Sequence, residues 1–222
     1  MTLTLSLNDE MSHLDGLEVV TLLPPGDATG QAITKALRRG PTRREMAASK
    51  GKYLAGDVKW HLPAAEVTAA PVPGAKIVDV AGESWTVLWV NRQTLGGRWC
   101  CWARNLAIAG GLDETITLQH AAWTRDLHGA PVALWSDFRT GLRARLQPQE
   151  GHVDRERDGR TTLAKYRVYL AEEVRVNESH RILHGDTVYH VLGYEMPERI
   201  DELFVILAER AATPWGTEGS AA

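Results

Sequence analysis

Lys165-Tyr-Arg-Val-Tyr-Leu170 sets Tyr166, Val168 and Leu170 on one side of an extended chain and Lys165, Arg167 and Tyr169 on the other. That alternation describes a β-strand with one wet face. An earlier stretch, Val58-Lys-Trp-His-Leu62, matches Tyr166-Arg-Val-Tyr-Leu170, and each is followed by a Glu-Val pair, Glu66-Val67 and Glu173-Val174. Three more matches lie outward from these. Glu18-Val-Val-Thr-Leu22 pairs with Glu114-Thr-Ile-Thr-Leu118, and Trp99-Cys-Cys-Trp-Ala103 pairs with Phe204-Val-Ile-Leu-Ala208. Gly82-Glu-Ser-Trp-Thr-Val-Leu88 pairs with Gly185-Asp-Thr-Val-Tyr-His-Val-Leu192, with one residue inserted. The offsets stay between 96 and 108 and the order never changes. One such match is weak, because Val and Leu alternate in any strand, but five in order specify an internal duplication.

Short runs rich in Val, Ile, Thr and Trp, bounded by Gly, Pro and Asp, recur along the chain. They include Leu17 to Leu22, Ala75 to Val80, Thr115 to Gln119, Pro131 to Phe138, Gly141 to Gln147, Val174 to Val176 and Glu202 to Leu207. Helical spacing is confined to Gly30 to Arg39, where Ile33, Ala36 and Leu37 share one face and Gly40-Pro41 would end the helix. Thr42-Arg-Arg-Glu45 has capping-box spacing for a further short turn. The expected fold is mainly β: two tandem small β-barrel or sandwich domains with a short helical insertion in the first. The domains are expected over residues 14–110 and 111–211, with Ala109-Gly110-Gly111 as hinge and 212–222 as a C-terminal tail.

Composition bounds the function. The 222 residues are 44% hydrophobic and 24% charged, the balance of a globular protein with a sizeable core. The formal charge is -3, so no global basic field pulls the surface toward nucleic acid. The N-terminal residues lack a basic-apolar leader pattern, and no membrane-length apolar run occurs, so the expectation is intracellular assembly. The two cysteines, Cys100 and Cys101, are adjacent and point to opposite faces of a strand, which excludes a disulfide framework.

The second half carries a wider pattern. Gly111-Leu-Asp-Glu-Thr-Ile-Thr-Leu-Gln119 is followed by a turn at Asp126-Leu-His-Gly129, a strand with Trp135, a strand with Arg143-Ala-Arg-Leu146 and a long polar loop. Tyr166 to Leu170, Arg181-Ile-Leu-His-Gly-Asp-Thr-Val-Tyr-His-Val-Leu-Gly193 and Leu203 to Arg210 complete it. This succession resembles the head-closure, or head-tail adaptor, proteins of tailed bacteriophages. The resemblance implies a small β-barrel or sandwich that assembles as a ring beneath the portal, extends the DNA channel and offers a docking surface to the tail. The first half departs from it, with the basic segment 30–52 where the second half has the two strands around Trp135 and Arg145.

Lys35, Arg38, Arg39, Arg43, Arg44, Lys50 and Lys52 stand against Glu45 alone, a local excess of +6. Such charges bind phosphate backbones without reading bases, or pair with an acidic protein surface. A second polar stretch, 147–160, mixes Arg155, Arg157 and Arg160 with Glu150 and Asp154 among other acids, and reads as a loop or as an arm that orders against a neighbour or the portal. Among the eight tryptophans, Trp60, Trp85, Trp89, Trp99 and Trp102 suit strand cores, whereas Trp123, Trp135 and Trp215 are harder to bury. Trp215, beyond the last strand, is a candidate interface anchor. His180, His184 and His190 lack metal-site spacing, and Cys100 flanked by Trp99 and Trp102 reads as a packed strand residue. No P-loop, GxSxG or helix-opening GxGxxG is present.

The expectation is therefore a non-enzymatic virion protein of the neck, assembled in the host cytoplasm, without cofactor or metal. Its partners would be further copies of itself, the portal, a tail or tail-terminator protein and double-stranded DNA passing without sequence specificity, with no membrane. Twelve copies fit the divergent halves better than six. The rival readings are a tail-terminator or other tail-proximal ring protein and, from another class, a two-barrel OB-like binder of single strands.

Overall fold

The computed structural model describes residues 14–26, 29–93, 97–149 and 165–211. They divide into two compact units, Met1–Ala109 with Arg199–Asp201 and Gly110–Glu198 with Glu202–Ala222. The first unit contains strands β1 (Leu17–Leu23), β2 (Gln31–Arg39), β3 (Val58–Pro63), β4 (Lys76–Val78), β5 (Ser84–Arg92) and β6 (Arg98–Arg104), with short helices α1 (Arg43–Ala48) and α2 (Leu106–Ala109). The second contains β7 (Glu114–Arg125), β8 (Pro131–Pro148), β9 (Lys165–Leu170), β10 (His180–His184), β11 (Thr187–Glu195) and β12 (Phe204–Arg210). Each set closes into an antiparallel barrel. Round the ring the order is β1-β2-β3-β6-β5-β4 in one and β7-β8-β9-β12-β11-β10 in the other, the same path for equivalent strands.

The duplication extends to register. Val58 faces Ala103 across β3 and β6, and Tyr166 faces Ala208 across β9 and β12. Leu22 faces Ile77 as Leu118 faces Ile182, and Ile77 faces Trp85 as Ile182 faces Tyr189. Even the irregularities coincide: the β5–β6 ladder slips between Val87 and Trp89, and the β11–β12 ladder between Val191 and Gly193. Inward positions fill the barrels with Val20, Leu22, Ile33, Trp60, Leu62 and Ile77 in the first. Ile116, Leu118, Val168, Leu170, Ile182 and Ile206 fill the second. Closure leaves the barrel strands paired on both sides, which removes the open edges that make β proteins associate indiscriminately.

Three sequence expectations are corrected. Gly30 to Arg39 is not helical: Gln31–Arg39 is β2, paired with β1 and β3. The helix-like spacing of Ile33, Ala36 and Leu37 arises because the β1–β2 register slips between Glu18 and Val20, which shifts the inward phase by one residue along β2. Helix in the 30–52 segment is limited to α1, whose Thr42 and Glu45 form the full capping box. The two strands expected around Trp135 and Arg145 are one 18-residue strand, β8, so the halves correspond strand for strand. The stretch Val174 to Val176 is irregular, although Val174 and Val176 are buried against the second core.

Candidate functional site

β7 and β8 outgrow their barrel. β7 pairs with β10 only as far as His120, and β8 pairs with β9 only from Ala144 onward. Beyond Ala121, whose amide still donates to Ser179, they pair with each other alone, from Ala122 opposite Leu134 to Arg125 opposite Pro131. The result is a two-stranded arm closed by the turn Asp126-Leu-His-Gly129. The Asp126 carboxylate accepts from the amides of His128 and Ala130, and Gly129 adopts φ 82°, where a side chain would be strained.

The arm is apolar where nothing covers it. Trp123 is 65% exposed, Leu134 58% and Leu127 at the tip fully so. Cross-strand pairing puts Trp123 and Ala133 on one face and Leu134 and Val132 on the other. Burying each large side chain against a partner would contribute roughly 1.5–3 kcal/mol. An isolated two-stranded ribbon is marginal in water, so this element suits association.

Its root is fixed by polar contacts. The Arg181 guanidinium lies 4.2 Å from the centre of the Trp135 ring and donates to Gln119 at 2.7 Å, and Gln119 donates to Asp137 at 2.7 Å. On the opposite face, the His180 ring sits 4.9 Å from His120 and 5.2 Å from Phe138. Ser136 and Arg175 help line an open groove of about 410 Å³ there. Burial, and then the neighbouring His120, hold His180 below the usual imidazole range. His180 Nδ1 meets Asn177 Oδ1 at 2.8 Å, and His184 instead approaches Glu114 on the barrel wall.

The basic segment of the first unit is divided by the fold. Arg38 bonds Asp79 at 3.1 Å and Glu18 at 3.4 Å, and its guanidinium covers Trp60 and Trp85 at 5.5 and 5.7 Å. It closes one end of the barrel. Lys35, Arg39, Arg43, Arg44, Lys50 and Lys52 are exposed. Arg39 lies opposite Lys59, which is held by Glu45 of α1, and Lys52 stands over Tyr53, itself stacked on Trp102 at 4.0 Å. Arg43 and Arg44 thus lie on α1 and Lys52 beside the Tyr53–Trp102 stack, while Lys35 stands apart on β2. Glu150, Asp154, Arg155, Arg157, Arg160 and Trp215 lie outside the described residues.

The arm is only partly legible in the sequence. Trp123 and Trp135 read there as poor core residues and Asp126 as the start of a turn, but pairing beyond the barrel has no composition signal.

No family model matches the chain, and no curated protein matches it. Among solved structures it is similar to a chain titled "Virion of native gene transfer agent (GTA) particle", at 17% identity and a TM-score of 0.36. That alignment covers 46% of this chain and 96% of the other. A likeness of this degree carries no functional argument.

Proposed function

We propose that the protein is a structural virion subunit of a phage-like neck, assembling as a ring between portal and tail, through which double-stranded DNA passes. The observation that carries this reading is the exposed apolar arm on an otherwise closed barrel: barrel closure suppresses edge pairing, and the arm concentrates association at one place. A heterologous contact suits such an assembly, because repeated head-to-tail docking gives a ring when the rotation between neighbours closes. The resemblance of the second half's sequence pattern to head-closure proteins supports a location at the neck. The exposed cations around α1 supply sequence-independent contact with a phosphate backbone or an acidic partner, as sliding DNA requires.

Chemistry at the cysteines is disfavoured by their surroundings. Burial and the adjacent Cys100 push the Cys101 thiol up to about 12, the opposite of what a nucleophile needs. The single-strand-binding alternative asks for several stacking platforms on the barrel, yet Trp60, Trp85 and Trp102 are buried and Trp89, expected in the core, is the exposed one at 38%.

Disrupting the gene in its producing cell tests the proposal. The expected result is DNA-filled heads without tails that leak their contents. Tailed particles in normal yield would overturn it. Salt-titrated binding to single strands separates the OB-like rival, which requires strong and salt-sensitive affinity.

A further inference from the structure

The root of the arm is held by a short chain of hydrogen bonds that ends on a buried imidazole. The Ala121 amide donates to the Ser179 carbonyl at 2.9 Å, and past that bond, among the described residues, β7 pairs with β8 alone. Ser179 is set by the turn Asn177–His180. Its amide donates to Asn177 Oδ1 at 3.0 Å, and the His180 amide donates to the Asn177 carbonyl at 2.9 Å. The turn closes on the His180 ring, whose Nδ1 lies 3.2 Å from the Asn177 amide and 2.8 Å from Asn177 Oδ1. His180 is 7% exposed, and the connection leading to it is anchored by Val174 and Val176 in the second core.

That ring has a second imidazole for a neighbour. β7 and β10 place His120 directly opposite His180, and the two rings meet edge to face with centres 4.9 Å apart. Phe138 of β8 packs on His180 at 5.2 Å, and Arg175 of the β9–β10 connection lines the same groove. The carboxylates at the root are placed otherwise. Asp137 of β8, which also borders the groove, accepts from Gln119, Glu172 lies 4.0 Å from Arg139, and Glu173 and Glu178 are exposed. Arg181, next along β10, is turned to Trp135 and Gln119 on the other face. Two neutral rings pack well here, whereas two imidazoliums beside Arg175 repel one another. Burial, and then His120, disfavour the charged form of His180.

We propose that the His120–His180 pair is a proton-operated latch on the β7–β8 arm: uncharged, it holds the Asn177–His180 turn, and with it Ser179 against Ala121, and on protonation it releases the root of the arm. A group that takes up its proton more readily in the open form favours opening as pH falls through its free value, 6.5 for imidazole. The latch acts within one chain, so it does not rest on the ring reading. What it adds is control over direction: the apolar arm is fixed above that pH and free to swing below it.

Residue-resolved hydrogen exchange on the full-length chain, corrected for the intrinsic pH dependence of exchange, tests the latch between about pH 7.5 and about pH 5. Protection of the Ala121 amide should fall by about tenfold across that range, in step with titration of the His180 ring followed by its own NMR signal, while the Ile206 amide of β12 stays flat. His184→Gln, on the barrel wall, should leave the fall intact. His120→Gln keeps the Asn177 turn and should move the midpoint upward, because the neighbouring imidazole no longer opposes the charge. His180→Phe keeps a ring beside Phe138 and should make the protection of Ala121 independent of pH. Protection of Ala121 that ignores pH in the parent chain, or that falls away from the His180 titration, overturns the latch. So do equal loss at Ile206, which means softening of the whole barrel, and a fall that survives in folded His180→Phe. If His180→Phe does not fold, the parent titration and His120→Gln decide: a midpoint that His120→Gln leaves unmoved or lowers sinks the proposal.

Discussion

Trp60 stands opposite Cys101 in the first barrel at the place where Val168 stands opposite Ile206 in the second. All four side chains are fully buried. One barrel fills the shared position with a large and a small residue and the other with two of middle size, so the volume is divided differently over one backbone pattern. Cys101→Ile should therefore overpack the first barrel and cost about 1–3 kcal/mol. Trp60→Val should cost about 3–5 kcal/mol by leaving a cavity. The double variant should be more stable than the sum of the single losses implies, by about 1 kcal/mol or more. Urea titration of the four proteins measures the coupling, and strict additivity would contradict the shared-volume account.

Arg104 and Asp57 form a buried ion pair, with Nε to Oδ1 at 2.8 Å and Nη2 to Oδ2 at 2.9 Å. Asp57→Ala leaves the guanidinium short of its bidentate partner and should cost about 3–5 kcal/mol. Replacing both, as Asp57→Leu with Arg104→Met, should recover most of that loss, because no charge then remains to be desolvated. Thermal denaturation decides between the two outcomes.

Glu45 ties α1 to the barrel. The Lys59 ammonium, then the Thr42 amide and hydroxyl, hold its carboxyl down at about 2 instead of the ordinary 4.5. A carboxyl depressed on folding stabilises fully above its unfolded value and loses that contribution as pH falls. The window here runs from about 4.5 down to about 2. Amide protection of Met46 and Ser49 should fall across that window and stay flat above it, as measured by hydrogen exchange. Thr42→Ala should weaken the same turn by about 1 kcal/mol at neutral pH. A loss of protection only above pH 7 would rule out this role for Glu45.

Much of this fold can be read from the sequence because the repeat is written in inward-facing positions. Leu22 and Leu118, Leu62 and Leu170, and Ala103 and Ala208 occupy equivalent places, so matched letters are matched positions in space. β2 misleads for a local reason. A ladder slip changes which residues face inward, and the resulting spacing of Ile33, Ala36 and Leu37 imitates a helix face. The length of β8 is hidden by Gly141, whose positive φ of 70° looks in sequence like a break between strands, although the chain continues through it. The basic segment is visible as composition, but composition does not separate Arg38 from its neighbours, because Asp79 and Trp85 lie 41 and 47 residues away in sequence and meet it only across the closed barrel.

That separation gives a functional contrast between two arginines of one segment. Arg38 is committed to Asp79, Glu18 and the two indole rings, so Arg38→Ala should destabilise the first barrel by about 1–3 kcal/mol. Arg44 is exposed on α1, and Arg44→Ala should change stability by no more than about 0.5 kcal/mol. On double-stranded DNA the ranking reverses. Removing one cation from a phosphate lowers the slope of log affinity against log salt by about 0.9, so Arg44→Ala should flatten the salt dependence while folded Arg38→Ala should leave it unchanged. Binding measured over a range of salt, beside a melting curve for each variant, tests both halves of the contrast. If Arg38→Ala melts like the parent chain and flattens the salt dependence as much as Arg44→Ala does, then Arg38 belongs to the polyanion surface and the fold does not divide the segment.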